Sequence, residues 1–398
     1  MRILWIGEHT NIGLMNRLIE YGYQPMSITV AQKNIIGGIS AKHPIDTIGG
    51  CRLPYKRDGK IRFDGEEWLE ADGSYHCFVD LISLPYLELI YKTQKINCAV
   101  RKWAKKYAAE PCRVIIYGLH TPYMKCIDIL RKYIKDIKIT CIVPDLPEYY
   151  DFNPSKLKKM LKNIDYKEIN KQLKKCDKFV LFSEHMKERL FLTEDQYIVM
   201  EGCVNLEDCN KEIECEKDDK KFRLLYSGAL NHGYGIDKLI DAFSLVEGEG
   251  FELRLIGSGT MVPEIEQVAL KDSRINYIGH VSDRNLLKRY QREADLLLCM
   301  IPPENKATKY CFPSKLFEYL VSGNPTAAFR LEGVGAEYYE HIQTFDSVTP
   351  KGIADTILRL SQMSREERDE IGKRSKEFIL NNKNNYIQGE RILNYAME

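Results

Sequence analysis

Residues 222–259 read FRLLYSGALNHGYGIDKLIDAFSLVEGEGFELRLIGSG, and this stretch decides the fold. The predicted elements, in order, are a strand over 222–226 ending at Ser227-Gly228, a helix over 236–245, and a strand over 251–256 ending at Gly257-Ser258-Gly259. A strand, a glycine-bearing loop and a helix in this order are typical of an α/β unit with a parallel sheet.

The same alternation extends to both sides of this stretch. The other predicted strands cover 2–6, 113–117, 137–143, 178–182, 197–200, 275–278, 295–299 and 325–329, with helical segments between most of them. Residues 36–80 are predicted to form loops with short strands. Two consecutive series of this kind predict an α/β fold of two Rossmann-like, doubly wound domains facing across a cleft, with ligands at the carboxyl ends of the strands.

The division into domains follows from length and from one charged segment. A chain of 398 residues is too long for one core. Residues 206–221, LEDCNKEIECEKDDKK, are charged and aperiodic and are predicted to contain the linker. We therefore expect a first domain over 1–210, a second over 211–375, and a C-terminal helix over 376–398 that packs back toward the first domain.

Bulk composition narrows the class of protein. Lys and Arg number 58 against 57 Asp and Glu, a net charge of +1, so no nucleic-acid partner is expected. No apolar run reaches the roughly 18 residues of a membrane span, and the first residues lack the features of a secretory signal. The 12 cysteines are scattered singly, which favours free thiols over disulfides or a zinc site. We expect a cytoplasmic protein.

The most informative segment for function is residues 310–326, YCFPSKLFEYLVSGNPT. Pro313 and Ser314 are typical of a helix start, whose free N–H groups attract phosphate. Lys315 adds a full positive charge in the first turn. Glu318, one turn further along, is suited to accept hydrogen bonds from ribose hydroxyls. The alternative is an ordinary capped helix on which Lys315 and Glu318 form a surface pair.

Four segments in the C-terminal half resemble family-four retaining glycosyltransferases with the GT-B fold. They are LLYSGALNHGYGIDKLIDAF, LRLIGSGTMVPEIEQ, INYIGHVSDRNLLKRYQREADLLL and FPSKLFEYLVSGNP. The resemblance implies that residues 211–375 bind a nucleotide-sugar donor and that residues 1–210 bind the acceptor. In the N-terminal half the similarity extends only to the general layout.

The resemblance also implies a set of donor-binding residues. They are Gly13, Gly228, His232, Tyr234, Gly257, His280, Val281, Tyr310, Pro313, Ser314, Lys315, Leu316 and Glu318. Glu318 matches the second glutamate of the family's paired motif, while the first falls on Tyr310, so backbone groups near 310–312 are expected to contact the sugar. The usual basic positions after the first strand read Ala229 and Tyr234. Lys315, the helix start and either Arg330 or His232 are then expected to bind the diphosphate.

Three residues of the N-terminal half are candidates for catalysis. His120 follows the strand over 113–117, at its carboxyl end, and resembles a family histidine that contacts the donor sugar. Asp145 and Glu148 follow the next strand and are candidates for orienting the acceptor or assisting proton transfer. A structural histidine and loop carboxylates without a role remain the alternatives. Gly7 and Gly13 resemble the loop that lets the backbone approach the donor phosphates.

The resemblance implies sugar transfer with retention at the anomeric carbon. The substrate would be a nucleotide-diphosphate sugar, taken as a UDP-sugar because this nucleotide is common in similar proteins. No Asp-x-Asp motif follows a strand, so a metal-independent hexosyltransferase without a further cofactor is expected. The acceptor would be a glycan or a lipid-linked hydroxyl, as in surface polysaccharide synthesis.

Residues 155–178 form a lysine-rich segment. Together with residues 151–154 they contain nine lysines against four acids, and apolar residues recur at helical spacing. A basic amphipathic helix can lie on an anionic membrane surface, which would make the protein peripheral on the inner face of the membrane. A solvated helix face is the alternative.

Two other functions share this fold. A nucleotide-sugar epimerase would need further acid–base groups, and the 310–326 segment matches the transferases better. A non-catalytic nucleotide-sugar-binding partner subunit is compatible with the changed residues at Tyr310 and Ala229. A redox Rossmann enzyme is disfavoured because the first loop lacks G-x-G-x-x-G.

Overall fold

The computed structural model describes residues 1–25, 27–55, 61–85, 87–146, 156–211, 215 and 220–398. Contacts between Cα atoms divide the chain into two compact units. Unit 1 is Met1–Cys203 with Asn385–Glu398, and unit 2 is Val204–Asn384.

Strands and helices alternate along most of the chain. The strands are β1 (Arg2–Ile6), β2 (Asp46–Gly49), β3 (Arg62–Phe63), β4 (Glu66–Leu69), β5 (Tyr75–Phe78), β6 (Leu81–Ile82), β7 (Cys112–Tyr117), β8 (Ile137–Val143), β9 (Lys178–Leu181), β10 (Tyr197–Val199), β11 (Phe222–Ala229), β12 (Phe251–Ser258), β13 (Ile275–Gly279), β14 (Leu296–Cys299), β15 (Thr326–Ala328) and β16 (Gln343–Thr344). The helices are α1 (Ile12–Glu20), α2 (Ser27–Ser40), α3 (Leu87–Lys106), α4 (Thr121–Met124), α5 (Cys126–Tyr133), α6 (Lys156–Leu173), α7 (Met186–Leu190), α8 (Leu206–Asn210), α9 (Ile236–Ser244), α10 (Val262–Ala269), α11 (Arg284–Glu293), α12 (Lys315–Ser322), α13 (Pro350–Ser361), α14 (Arg365–Asn382) and α15 (Asn385–Met397).

Unit 1 is built on an eight-stranded sheet in the order β10-β9-β8-β7-β1-β2-β5-β4. All neighbouring strands are parallel except the edge pair β4 and β5, and β3 and β6 form a separate antiparallel ribbon. Helix α3 is fixed to β2 by a buried hydrogen bond of 2.7 Å, which the Trp103 indole N–H donates to the Asp46 carboxylate. Because β1, β2, β7 and β8 run parallel, the loops that follow these four strands lie at one edge of the sheet.

Helix α2 was not predicted from the sequence, and its residues 36–40 were assigned to an irregular region. Ile35, Ile36 and Ile39 are buried, so this segment contributes to the core. Helix α15 packs on α2 at two glycines. A Cβ at Gly389 would lie 2.5 Å from the carbonyl carbon of Gly38, so a larger residue would separate the two helices.

Unit 2 contains a six-stranded, fully parallel sheet in the order β13-β12-β11-β14-β15-β16. Strand β11 is central, and its apolar residues Leu224 and Leu225 are completely buried, as expected when helices cover both faces. The order reverses at β11, where β12 lies on one side and β14 on the other. Such a switch point is where ligands of doubly wound sheets bind.

The unit boundaries differ from the predicted domain boundaries at both ends. Residues 204–210 were expected in the first domain, but Val204 pairs with Asn384 in a parallel bridge. The predicted linker begins as helix α8, and the Lys288 ammonium donates to the Asp208 carbonyl at 3.2 Å. Residues 376–382 belong to α14, which packs against α12, so the helix in unit 1 begins only at Asn385.

The cysteines are unpaired, and the lysine-rich segment is mostly helical. All 12 cysteines are free thiols. Among the described residues, no group of three His, Cys, Asp or Glu side chains could hold a metal ion. No helix in the described part of the chain has the length and apolar character needed to cross a bilayer. Most of the lysine-rich segment lies in α6, and Lys175, just after it, pairs with Asp128.

Candidate functional site

A buried tyrosine fixes the start of helix α12 to the end of strand β11. Tyr319 is fully buried, and its hydroxyl accepts a 2.9 Å hydrogen bond from the backbone N–H of Ser227. The same hydroxyl lies 3.2 Å from the Ser227 side-chain oxygen. These bonds hold the first turn of α12 beside the loop that follows β11.

Gly228 and Lys315 are in direct contact within this arrangement. Gly228 has a φ of +142°, and a Cβ at this position would lie 1.8 Å from Nζ of Lys315. A residue with a side chain would be strained at Gly228 and would displace the lysine. Gly257 pairs with Gly228 across β11 and β12, and a Cβ there would lie 1.8 Å from the Gly228 carbonyl oxygen. The structure thus brings together the predicted residues Gly228, Gly257 and Lys315.

The Lys315 ammonium has a polar neighbour but forms no ion pair with any residue that the structure describes. It donates to the Tyr226 hydroxyl at 3.0 Å and lies 5.9 Å from the centre of the Tyr234 ring. Among the described residues no carboxylate forms an ion pair with it. Burial lowers the pKa of Lys315 to about 8, against the opposing effects of Cys299 and Glu318. The lysine therefore offers a positive charge at neutral pH to an anion that enters the site.

The first turn of α12 leaves backbone donors available. Ser314 occupies the predicted N-cap position, but its backbone is helical and its side chain makes no capping hydrogen bond. The backbone N–H of Leu316 donates to the Pro313 carbonyl at 2.9 Å. The N–H groups of Ser314 and Lys315 have no acceptor in the described part of the chain. These groups and the helix dipole add partial positive charge beside the Lys315 ammonium.

Glu318 lies one turn beyond Lys315 and is exposed. Its carboxylate makes no hydrogen bond or ion pair with another described residue. The alternative in which Lys315 and Glu318 form a surface ion pair is therefore wrong. The carboxylate remains available to a ligand.

The structure places His232 and Arg330 against other partners. The His232 ring is exposed, with Nδ1 4.0 Å from Asp237 and Nε2 3.8 Å from Glu264, so carboxylates lie on two sides of it. The Arg330 guanidinium stacks on the ring of Tyr339 at 4.5 Å. Lys315 is thus the better placed of the three cations for an anion beside Gly228.

The other predicted donor residues are spread over several loops. His280 and Val281 follow β13, two strands away from β11; His280 is exposed and Val281 packs partly on the core. Tyr310 ends a 3-10 turn over Lys306–Tyr310 and is partly buried. Pro313 and Leu316 are buried and support the start of α12. Gly13 lies in unit 1, in the first turn of α1.

His120 lies in unit 1 where the sequence predicts it, between β7 and α4. Its ring packs edge-to-face on Tyr123, with 5.3 Å between the ring centres. Burial, together with the positive charges of Lys92 and Arg52, lowers the pKa of His120 to about 3. The imidazole is therefore neutral at physiological pH, and one of its ring nitrogens donates a hydrogen bond while the other accepts one.

The two carboxylate candidates differ in what can be said of them. Asp145 follows β8, is partly buried, and contributes to raising the pKa of the buried Tyr117 phenol. Glu148 lies outside the described residues. The catalytic roles of His120, Asp145 and Glu148 stay predictions.

Sequence reasoning missed two basic residues near His120. Lys92 in α3 and Arg52 after β2 line a cavity of about 990 Å³ together with His120. A signal for Lys92 was present in the sequence. It falls in the buried stripe of α3 with Ile96, Val100 and Trp103, a position that an apolar residue normally occupies.

Comparisons with known proteins bear on the family and the fold. Residues 210–378 match the family model described as Glycosyl transferases group 1. The chain has the GT-B fold. None of the curated proteins compared matches the sequence.

Solved GT-B structures match over the full length at low sequence identity. A sucrose-phosphate synthase from Thermosynechococcus elongatus has a TM-score of 0.68 and 14% identity, covering 100% of this chain and 98% of that one. A UDP-forming α,α-trehalose-phosphate synthase from Burkholderia xenovorans, in complex with glucose-6-phosphate, has a TM-score of 0.65 and 11% identity, covering 100% of both chains. HepE from Anabaena, in complex with UDP, has a TM-score of 0.62 and 12% identity, again covering 100% of both.

The GT-B fold accounts for where the candidate residues lie within each unit. Lys315, Gly228 and Glu318 are at the switch point of the unit 2 sheet, inside the region that the family model covers. His120 and Asp145 are at the carboxyl edge of the unit 1 sheet. In each unit the candidate binding and catalytic residues lie near the carboxyl ends of parallel strands, as in other doubly wound sheets.

Proposed function

We propose that this protein is a retaining glycosyltransferase that transfers a sugar from a nucleotide-diphosphate sugar to an acceptor hydroxyl. The observation that carries the proposal is the unpaired Lys315 ammonium, in contact with Gly228 and next to the open backbone donors of α12. A fixed cation and a helix N-terminus are suited to bind a diphosphate and to stabilise it as a leaving group.

Different residues of unit 2 then bind different parts of the donor. Lys315 and the N–H groups of Ser314 and Lys315 bind the diphosphate and balance the charge that develops as the bond to the sugar breaks. Glu318 accepts hydrogen bonds from the ribose hydroxyls. Because the protein supplies this positive charge itself, we propose that the reaction needs no metal ion or other cofactor.

We further propose a UDP-sugar as donor, a hexose as the transferred group, and a glycan or lipid-linked acceptor. The UDP-forming synthase and the UDP complex among the matching structures support the choice of nucleotide. A role in surface polysaccharide synthesis, a cytoplasmic location and a contact of residues 155–178 with the membrane surface belong to the same proposal. His120 would contact the transferred sugar, with Asp145 and Glu148 acting on the acceptor.

The test is titration of the full chain with UDP and a panel of UDP-sugars, followed by detection of released UDP and free sugar. Replacing Glu318 by Gln removes a charged acceptor of hydrogen bonds, which contributes about 1.5–3 kcal/mol, so we expect about 10-fold to 100-fold weaker UDP binding. Glu266→Gln, an exposed glutamate of α10, is the matched control and should bind UDP as the wild type does.

The outcomes separate the proposed function from its alternatives. Release of UDP with free sugar, lost in Glu318→Gln, supports the transferase. Tight UDP-sugar binding without any turnover would instead identify a binding subunit, and interconversion of sugars without transfer would identify an epimerase. Equal UDP affinity in wild type and Glu318→Gln would contradict the donor site itself.

A further inference from the structure

Unit 1 contains a cavity of about 990 Å³ whose lining includes His120 and none of the predicted donor-binding residues of unit 2. Its wall is mostly apolar and includes Leu53, Leu81, Ile82, Leu89, Ile90 and Ile164. Residues that follow β2 and β7 and residues of α3 and α6 contribute to it. A pocket of this size that combines an apolar wall with several polar and charged side chains is typical of a small-molecule site.

One buried cation faces this cavity. Lys92 is only 6% exposed, and its ammonium lies 4.9 Å from the centre of the Tyr123 ring. In the described part of the chain this ammonium forms no hydrogen bond and no ion pair. Burial lowers the pKa of Lys92, and the charges of Glu8 and Glu88 oppose this effect only in part. Because a buried charge is costly, a lysine in this state is suited to bind an anion.

The carboxylates around the cavity each have a partner, although the buried Oε2 of Glu88 accepts no hydrogen bond within the described part of the chain. Glu88 lies 3.4 Å from Arg52 and accepts a 2.8 Å hydrogen bond from Tyr55. Asp165 accepts from Thr121, and Glu168 accepts from Gln172 at 2.9 Å.

Three cations and three acids line the cavity, and two of the cations lie toward solvent. The Arg52 side chain is 68% exposed, and Lys125 is exposed as well. Lys92 is the buried cation of this lining, and it forms no ion pair with a described residue.

Large apolar side chains lie exposed at the mouth of the same cavity. Tyr55 is 50% exposed, Ile90 57% and Ile164 59%, and all three line the cavity. Exposed apolar side chains grouped beside a pocket are typical of a surface that binds an apolar partner. This surface continues outward from the wall beside Lys92.

We propose that this cavity binds an anionic amphiphile, with its phosphate or carboxylate at Lys92 and its alkyl chain along Tyr55, Ile90 and Ile164. His120 lines the same cavity, so the amphiphile would be the acceptor of the transferase, and that identification rests on the proposed function. The binding itself does not depend on it.

The test uses dodecyl phosphate as the probe, below its critical micelle concentration, with calorimetric titration of the full chain. Dodecyl maltoside has the same chain without the charge, and inorganic phosphate has the charge without the chain. We expect dodecyl phosphate to bind at least about tenfold more tightly than either, because only this probe makes both kinds of contact.

Two variants separate the head-group contact from the chain contact. Lys92→Met keeps the length of the side chain and removes the charge, and should weaken dodecyl phosphate about tenfold or more. Its melting temperature should be equal or higher, because a buried charge has been removed. Ile90→Ser should weaken dodecyl phosphate and leave inorganic phosphate unchanged. Lys102→Met, an exposed lysine on the same helix, is the control and should bind as the wild type does.

Three results would overturn this inference. They are equal binding of dodecyl maltoside, equal binding of inorganic phosphate, and wild-type affinity for dodecyl phosphate in Lys92→Met. UDP titration of the same samples distinguishes this failure from that of the proposed function. Loss of dodecyl phosphate binding with intact UDP binding in Lys92→Met supports the cavity as a separate ligand site.

Discussion

The contact between Gly228 and Lys315 leads to a sharp prediction for Gly228→Ala. The new Cβ would lie 1.8 Å from Nζ and 2.2 Å from Cε of Lys315, so the ammonium must leave its position beside Tyr226. The φ of +142° is also unfavourable for alanine and costs about 1–3 kcal/mol of unfolding free energy. The substitution should therefore lower both stability and diphosphate affinity.

The two effects have different magnitudes and different assays. For a domain of roughly the size of unit 2, 1 kcal/mol shifts the melting temperature by about 2–4 °C, so we expect a decrease of about 2–12 °C. A displaced ammonium forfeits a charge-assisted hydrogen bond of about 1.5–3 kcal/mol, which corresponds to about 10-fold to 100-fold weaker UDP binding. Calorimetric titration well below the melting transition measures the second effect on folded protein.

Two further variants identify the cause of the lost affinity. Gly250→Ala is the matched control, because Gly250 directly precedes β12 and no heavy atom of the described residues would lie within 4 Å of its Cβ, and it should bind UDP normally. If Gly228→Ala acts by displacing the ammonium, it should cost little further affinity in a Lys315→Met background. Full additivity in the double variant, or unchanged UDP affinity in Gly228→Ala, would refute the placement of Lys315 at the diphosphate.

Three other predictions follow from the two units. Lys315 is cationic below its pKa of about 8, so UDP affinity should fall as the pH rises above that value. Folding stability should rise between pH 8 and pH 10.5, because the folded protein loses the buried charge in this range while the unfolded chain keeps it. A UDP affinity that is independent of pH between 7 and 10 in calorimetric titrations would contradict this. Tyr319→Phe leaves the backbone N–H of Ser227 without its acceptor and should destabilise the protein by about 1–3 kcal/mol in chemical denaturation, and an unchanged midpoint would argue against the anchoring of α12. His120→Gln should lower the transfer rate about tenfold or more while UDP affinity stays the same. Because the pKa of His120 is near 3, the pH profile of the rate near pH 6.5 should have the same shape in the wild type and in this variant.

The architecture of unit 2 could be predicted from sequence because local signals agree with the fold. Apolar runs such as Leu224–Leu225 are interrupted at glycines, and the glycines lie where the backbone needs them, as at Gly228 and Gly257. The strand starts at 222, 251 and 275 were predicted correctly. Lys315 was identified for the same reason, since its position in a helix start is a local property.

Features that depend on distant parts of the chain could not be predicted in this way. The hydrogen bonds from Ser227 to Tyr319 join residues far apart in sequence, and neither residue type signals the other. Helix α2 was not predicted because its buried isoleucines are mixed with Gly37 and Gly38, which disfavour a helix. The packing of α15 at Gly38 is a tertiary contact that the local sequence does not show. The state of Lys92 is also tertiary, because sequence alone does not tell whether a lysine in an apolar stripe reaches solvent.

The helix that packs on α2 has a consequence for how the chain matures during synthesis. Asn385–Glu398 is synthesised only after all of Val204–Asn384, so the N-terminal unit cannot be completed until the whole of the other unit has been made. Until then the Gly38 side of α2 remains uncovered and accessible to chaperones or to proteolysis. Removal of the last fourteen residues should accordingly damage the half of the molecule that is made first and spare the half that directly precedes them.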